Sequence, residues 1–283
     1  MLFILAFVIL TIITGIIAYP FVKSSRLPKN RPSTVLRRPP TKDGRRVIVL
    51  AGDSLTHGLI GHGYVNIVLE ELDMERFILL NAGVNSHLAW NLLERLGEII
   101  DCQPSIITVL IGTNDANAAT SEKEGMAYVK NMKLPCLPNL TWFRETLLSI
   151  VKRLQNETSA SIALLSIPTI GEVPDHPAFK LSLDYGKTVK EVAIKTGVTY
   201  LPLQEQMVAY LESNPGSPKY PIEKGRVQML LSIFKRYLLG RSWDSIAEEA
   251  GFRLHSDYLH LNSLSARMVA DMIIQFIKST QSF

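Results

Sequence analysis

Val47-Ile48-Val49-Leu50-Ala51-Gly52-Asp53-Ser54-Leu55 is the stretch on which the fold turns. An unbroken apolar run that stops at a glycine fits a strand buried on both faces of a parallel sheet. Runs of the same kind recur at 77–80, 106–111, 162–167 and 198–203. The stretches between them have helical spacing. Tyr64, Ile67, Val68 and Leu72 share one face, as do Leu88, Leu92, Leu93 and Leu96, and 142–154 and 189–195 read the same way. Five strands alternating with helices predict an α/β protein, a three-layer α/β/α sandwich on a parallel sheet. In such sheets ligands bind beyond the carboxyl ends of the strands, which is where Gly52-Asp53-Ser54 falls.

Residues 1–19 carry no charged side chain and are almost wholly apolar. At 1.5 Å per residue such a helix spans roughly 28 Å, close to the hydrocarbon thickness of a bilayer. A cleaved signal peptide would want basic residues ahead of a shorter apolar run, and none precedes this one. The expectation is a transmembrane anchor over 1–21. The nearby basic residues all follow it, which places the following domain in the cytoplasm by the positive-inside rule. Asn139 and Asn156 open glycosylation sequons that argue the other way.

The chain carries +4 overall, but residues 22–46 hold nine basic side chains against Asp43 alone. That leaves +8 in the stretch and −4 in the rest, so the body does not look like a nucleic-acid binder. Five prolines within 20–46 (Pro20, Pro28, Pro32, Pro39 and Pro40) make 22–45 an expected extended linker, attractive to anionic headgroups. Cys102 and Cys136 have no metal-site spacing. The domain proper is expected over 46–283, with 204–256 as a helical insertion and lid candidate. Within it, Arg226 to Leu239 and a helix capped by Ser242 or Asp244 and closed by Gly251 are predicted. A last helix is predicted over 264–277.

Four blocks carry chemistry: Gly52-Asp53-Ser54-Leu55, Asn81-Ala82-Gly83, Gly112-Thr113-Asn114-Asp115 and Asp257-Tyr258-Leu259-His260. The first three each follow a predicted strand. Ser54 is a candidate nucleophile, or an ordinary cap. Gly83 offers an N–H close to a substrate, or is a turn glycine. Asn114 offers an amide to an oxyanion, or makes an Asx turn; Asp115 reads as a cap or brace. Asp257 and His260 stand three apart, so a turn puts them on one side. The carboxylate can then hold one ring nitrogen and leave the other to take a proton. The other five histidines lack such a partner at this spacing.

Together the blocks resemble those of the SGNH hydrolases, also called the GDSL esterase/lipase family, from about Val47 to the C-terminus. The letters of that name match Ser54, Gly83, Asn114 and His260. The resemblance implies a flavodoxin-like sandwich with a five-stranded parallel sheet and hydrolysis through an acyl-enzyme, without metal or cofactor. It also implies an oxyanion hole from the Ser54 N–H, the Gly83 N–H and the Asn114 side chain. Two features depart from the family: the last block continues Leu261-Asn262 instead of carrying a proline after the histidine, and the 204–256 insertion is long. With an anchor, lipid-like or small acyl esters such as lysophospholipids become the expected substrates. Carbohydrate O-acetyl esters, acyl transfer to an alcohol, and an inactive membrane-tethered binding protein are the rival readings.

Overall fold

The computed structural model describes residues 2–37 and 44–280. The chain runs α1 (Leu2–Ser24), α2 (Pro32–Arg37), β1 (Arg46–Gly52), α3 (Ser54–His57), α4 (Tyr64–Glu71), β2 (Phe77–Gly83), α5 (Ala89–Glu94) and α6 (Leu96–Ile100). It continues with β3 (Ile106–Leu110), α7 (Thr113–Ala118), α8 (Glu122–Met132), α9 (Leu140–Glu157), β4 (Ser161–Leu165), α10 (Pro177–Thr196) and β5 (Thr199–Leu201). α11 (Leu203–Ser213), α12 (Gly225–Tyr237), α13 (Trp243–Ala250) and α14 (Ser263–Ser279) complete it.

The five strands form one parallel sheet in the order β2-β1-β3-β4-β5. β1 shows why its apolar run is unbroken. Ile48 and Leu50 enter a core shared with α4, α11 and α14, while Val49 and Ala51 enter a second core shared with α5, α6, α9 and α10. Both faces are covered, so every β1 side chain from Ile48 to Ala51 is buried. Each large one contributes roughly 1.5–3 kcal/mol of transfer free energy. The register sets Gly52 beside Gly83 on one side and Leu110 on the other. The carboxyl ends of three strands are therefore level, and their loops open on one edge.

Two expectations change here. Residues 24–37 are not an unpacked linker. Asn30 donates its side-chain amide to Leu79 O at 3.0 Å and accepts from Asn81 N at 3.1 Å, and Pro32 is buried. The reason lies in topology: β2 is an edge strand, and its open backbone groups need partners. α11 belongs to the sandwich, with Leu203, Met207 and Leu211 buried one turn apart in the core; the insertion proper starts after Ser213. Residues 38–43 of the linker lie outside the described residues.

The N-terminal stretch forms α1, with Pro20 inside it. Among the described residues no helix is long and apolar enough to cross a membrane, so the expected transmembrane span is not found as such. Part of the expected span lies on side chains within 2–13 that are outside the described residues. Those described near its start, Phe3, Phe7 and Leu10, are exposed.

Candidate active site

Ser54 is the first residue of α3, and Asp53 caps that helix by accepting from Leu55 N at 2.9 Å. α3 presses closely on the strand ends. A Cβ on Gly52 would meet Thr56 Oγ1 at 2.1 Å and Leu110 O at 2.4 Å, and one on Gly83 would meet His57 N at 2.1 Å. Glycine at both places lets the one-turn helix sit directly on β1 and β2.

His260 arrives from the far end of the chain. Ser54 Oγ lies 3.0 Å from His260 Nε2, and His260 Nδ1 lies 2.8 Å from Asp257 Oδ2. The other Asp257 oxygen accepts from Leu259 N at 2.7 Å and His260 N at 2.8 Å. This ties the carboxylate to its own turn. All three side chains are at most 8% exposed. Burial raises the Asp257 pKa, but the His260 charge and the hydrogen bonds outweigh it and hold the carboxyl below its ordinary range. For His260, burial lowers the pKa, and the charge and hydrogen bond of Asp257 overcome that and raise it. The ring is thus poised to hold a proton taken from Ser54.

Asn114, in the first turn of α7, is aimed by two partners. Its Nδ2 donates to His87 O at 3.1 Å and its Oδ1 accepts from Tyr128 Oη at 2.8 Å. An amide has two N–H groups, so one remains to point at a ligand. The Ser54 N–H, at the start of a helix, has no helical acceptor. Gly83 differs from expectation: its N–H donates to Asn81 Oδ1 at 2.9 Å. In this structure the glycine serves packing, and its N–H is engaged. Asp115 braces the site by accepting from Ala89 N at 3.0 Å, and burial pushes its pKa up to about 7.

Two groups were not foreseen. Arg95, which separates α5 from α6, donates to Gly52 O at 3.1 Å, Ala82 O at 2.7 Å and His87 Nδ1 at 3.2 Å. It fastens the carboxyl ends of β1 and β2 to the residue that aims Asn114. Glu172 accepts from Arg253 N and Leu254 N at 2.7 Å and from His255 N at 2.9 Å, and meets His255 Nδ1 at 2.9 Å. His255 Nε2 in turn lies 2.9 Å from Thr169 O. This buried pair moors the loop that leads into Asp257. Neither group belongs to a motif: Arg95 reaches Gly52 43 residues away, and the partners of Glu172 lie 81–83 residues away.

A family model for GDSL-like lipases and acylhydrolases matches residues 50–222. The chain belongs to this family. It is a carboxylic ester hydrolase of the GDSL type, and the matched span holds Ser54, Gly83 and Asn114 while Asp257 and His260 lie past it. No curated protein matches the sequence. Among solved structures, the hydrolase is similar to Axe2, an acetylxylan esterase from Geobacillus stearothermophilus, in a catalytic mutant. The identity is 17% and the TM-score 0.58, over 81% of this chain and 93% of that one. Another Axe2 mutant, described as an acetyl-xylooligosaccharide esterase, gives 18% and 0.59 over 82% and 94%. The acetyl xylan esterase AlAXEase gives 17% and 0.59 over 82% and 99%. At these identities the likeness is one of fold, and the GDSL hydrolase shares its sandwich with them.

Proposed function

We propose that this hydrolase cleaves esters through a covalent acyl-enzyme on Ser54. The observation that carries the proposal is the relay from Ser54 Oγ through His260 to Asp257, with separations of 3.0 and 2.8 Å. His260 Nε2 takes the Ser54 proton as Oγ attacks the carbonyl carbon. The oxyanion is held by the Ser54 N–H and the spare Asn114 N–H, and by the Gly83 N–H only if its bond to Asn81 is exchanged. The alcohol leaves with the proton from His260. Water, deprotonated by the same ring, then attacks the acyl group and releases the acid and Ser54.

Small acyl esters are the proposed substrates. Carbohydrate O-acetyl esters are a second reading, supported by fold neighbours that are acetylxylan esterases. Lipid-like esters such as lysophospholipids remain a proposal based on location, because α1 opens with a charge-free apolar sequence and presents Phe3, Phe7 and Leu10 to its surroundings. On the same basis we propose that α1 attaches the hydrolase to a membrane, with the catalytic domain on the cytoplasmic side.

The test is hydrolysis of p-nitrophenyl esters from acetyl to palmitoyl by the full chain in detergent, beside Ser54→Ala. Hydrolysis that disappears in the variant supports the serine mechanism, and the chain-length profile separates acetyl from long-chain specificity. A folded protein inert at every length would sink the esterase reading.

A further inference from the structure

α12 is built inside out. The side chains it buries are Gln228, Ser232 and Ile233, two of them polar. Those it exposes are Val227, Leu230, Leu231 and Phe234, at 55%, 43%, 45% and 39%. Their spacing of i, i+3, i+4 and i+7 is the apolar stripe that a helix in water normally turns toward its core. Leu239, just beyond the helix, extends the stripe at 61% exposure. On the inner side Ser232 Oγ donates to Ser256 O at 3.3 Å.

The stripe adjoins a second apolar surface. α12 packs against the carboxyl-terminal part of α1. There Lys23 Nζ stands 5.5 Å from the Tyr19 ring centroid and 5.7 Å from that of Tyr237. α1 exposes Ile16, Ile17 and Val22 in the same region, each at more than half. Tyrosines with a lysine are the residue types that settle at a membrane–water boundary. The 219–241 stretch around α12 holds six basic residues against Glu223 alone; Arg226 pairs with Glu124 and Lys235 and Arg241 with Glu249, which leaves Lys219, Lys224 and Arg236 to suit anionic headgroups.

We infer that α12 is a second membrane contact, its apolar stripe lying in the headgroup boundary of an anionic bilayer beside α1. This rests on the membrane reading of α1 given above. The contact would also place the active site. Tyr237 Oη donates to Leu59 O at 2.5 Å, in the loop that follows Ser54, and Ser232 reaches the residue before Asp257. A docked α12 holds both catalytic loops at the bilayer surface, whatever alcohol the ester carries.

Cysteines introduced one at a time and labelled with NBD, in the full chain with Cys136→Ser and the buried Cys102 kept, test the inference in vesicles of phosphatidylcholine and phosphatidylglycerol. The labelled positions are Leu230→Cys, Leu10→Cys on α1, and Ser149→Cys on the exposed face of α9. The expected result is that nitroxide-bearing lipid quenches the 230 probe several-fold more than the 149 probe. Quenching of the 230 probe by aqueous iodide instead would overturn the inference. So would protection from both quenchers that grows with protein density, since a second copy would then cover the stripe. The 10 probe separates the two readings. Lipid quenching at 10 without 230 removes the α12 contact and leaves the anchor; quenching at 230 without 10 does the reverse.

Discussion

At the residue scale the site depends on how two carboxylates are treated. Asp53 and Asp257 are both buried, yet their chemistry diverges. Asp53 accepts one backbone N–H and its Oδ2 has no partner, so burial pushes its pKa up to about 7. Asp257 faces His260 and accepts two backbone N–H groups, so it stays ionised. This fixes a pH signature. His260 must be neutral to accept the Ser54 proton, and its folded pKa lies above the ordinary 6.5. Activity is therefore low while the ring is protonated and rises as pH passes a value above 6.5. Asp257→Asn removes the two largest raising causes, the Asp257 charge and its hydrogen bond, and leaves burial, which lowers the pKa, against the smaller raising charge of Asp53. The acid limb of kcat/KM is then expected to move to lower pH than in the wild type, with the rate reduced about 10⁴-fold. A limb that stays in place in the variant would show that another group controls it.

Much of the site was legible at this scale because each block is local. Ser54, Asn114, Asp257 and His260 sit next to the strand end or turn that positions them. The departure at Gly83 was not legible: that its N–H meets Asn81 Oδ1 two residues away depends on how the strand end turns, not on residue type. Tyr128, which aims Asn114 from the next helix, carries no motif.

At the element scale, strands and helices with a strong apolar pattern fell where the period put them. β1 to β3, α9, α13 and α14 match their predicted runs within a few residues. Ser242 does cap α13, accepting from Ser245 N at 3.0 Å, and Gly251 closes it at φ 85°. α8 was missed because its run is mostly polar and its stability comes from the Ser121 cap and packing. The loop between α13 and α14 is held to itself by a single antiparallel bridge, His255 to Leu261, and Glu172 ties it to the rest of the domain. Glu172→Ala leaves three backbone N–H groups and the His255 ring without their acceptor in a buried site. Breaking a buried pair of this kind costs about 3–5 kcal/mol. Chemical denaturation is expected to show a loss of that size, with activity falling at temperatures where the wild type is unaffected. A loss under about 1 kcal/mol, the size of one ordinary hydrogen bond, would contradict the mooring role.

At the scale of the whole molecule, the sandwich and its open edge were readable because parallel strands buried on both faces leave an unbroken apolar signature. The packing of 24–37 was not, since proline and charge look the same in a free linker and in one that covers an edge strand. Removing residues 1–45 uncovers the outer side of β2, where Asn30 makes two hydrogen bonds. The expected effect is a stability loss of about 1–3 kcal/mol, read as a lower denaturation midpoint, with hydrolysis of a soluble ester retained. An unchanged midpoint would mean that the segment merely rests on the sheet.

The proposed chemistry stands on Ser54 as the nucleophile. Reaction of the full chain with a fluorophosphonate, followed by peptide mapping in a mass spectrometer, tests it most directly. One adduct is expected, on Ser54, formed in step with the loss of esterase activity and absent in Ser54→Ala. Activity lost while Ser54 stays unmodified, or an adduct on another residue that tracks the inactivation, would contradict it.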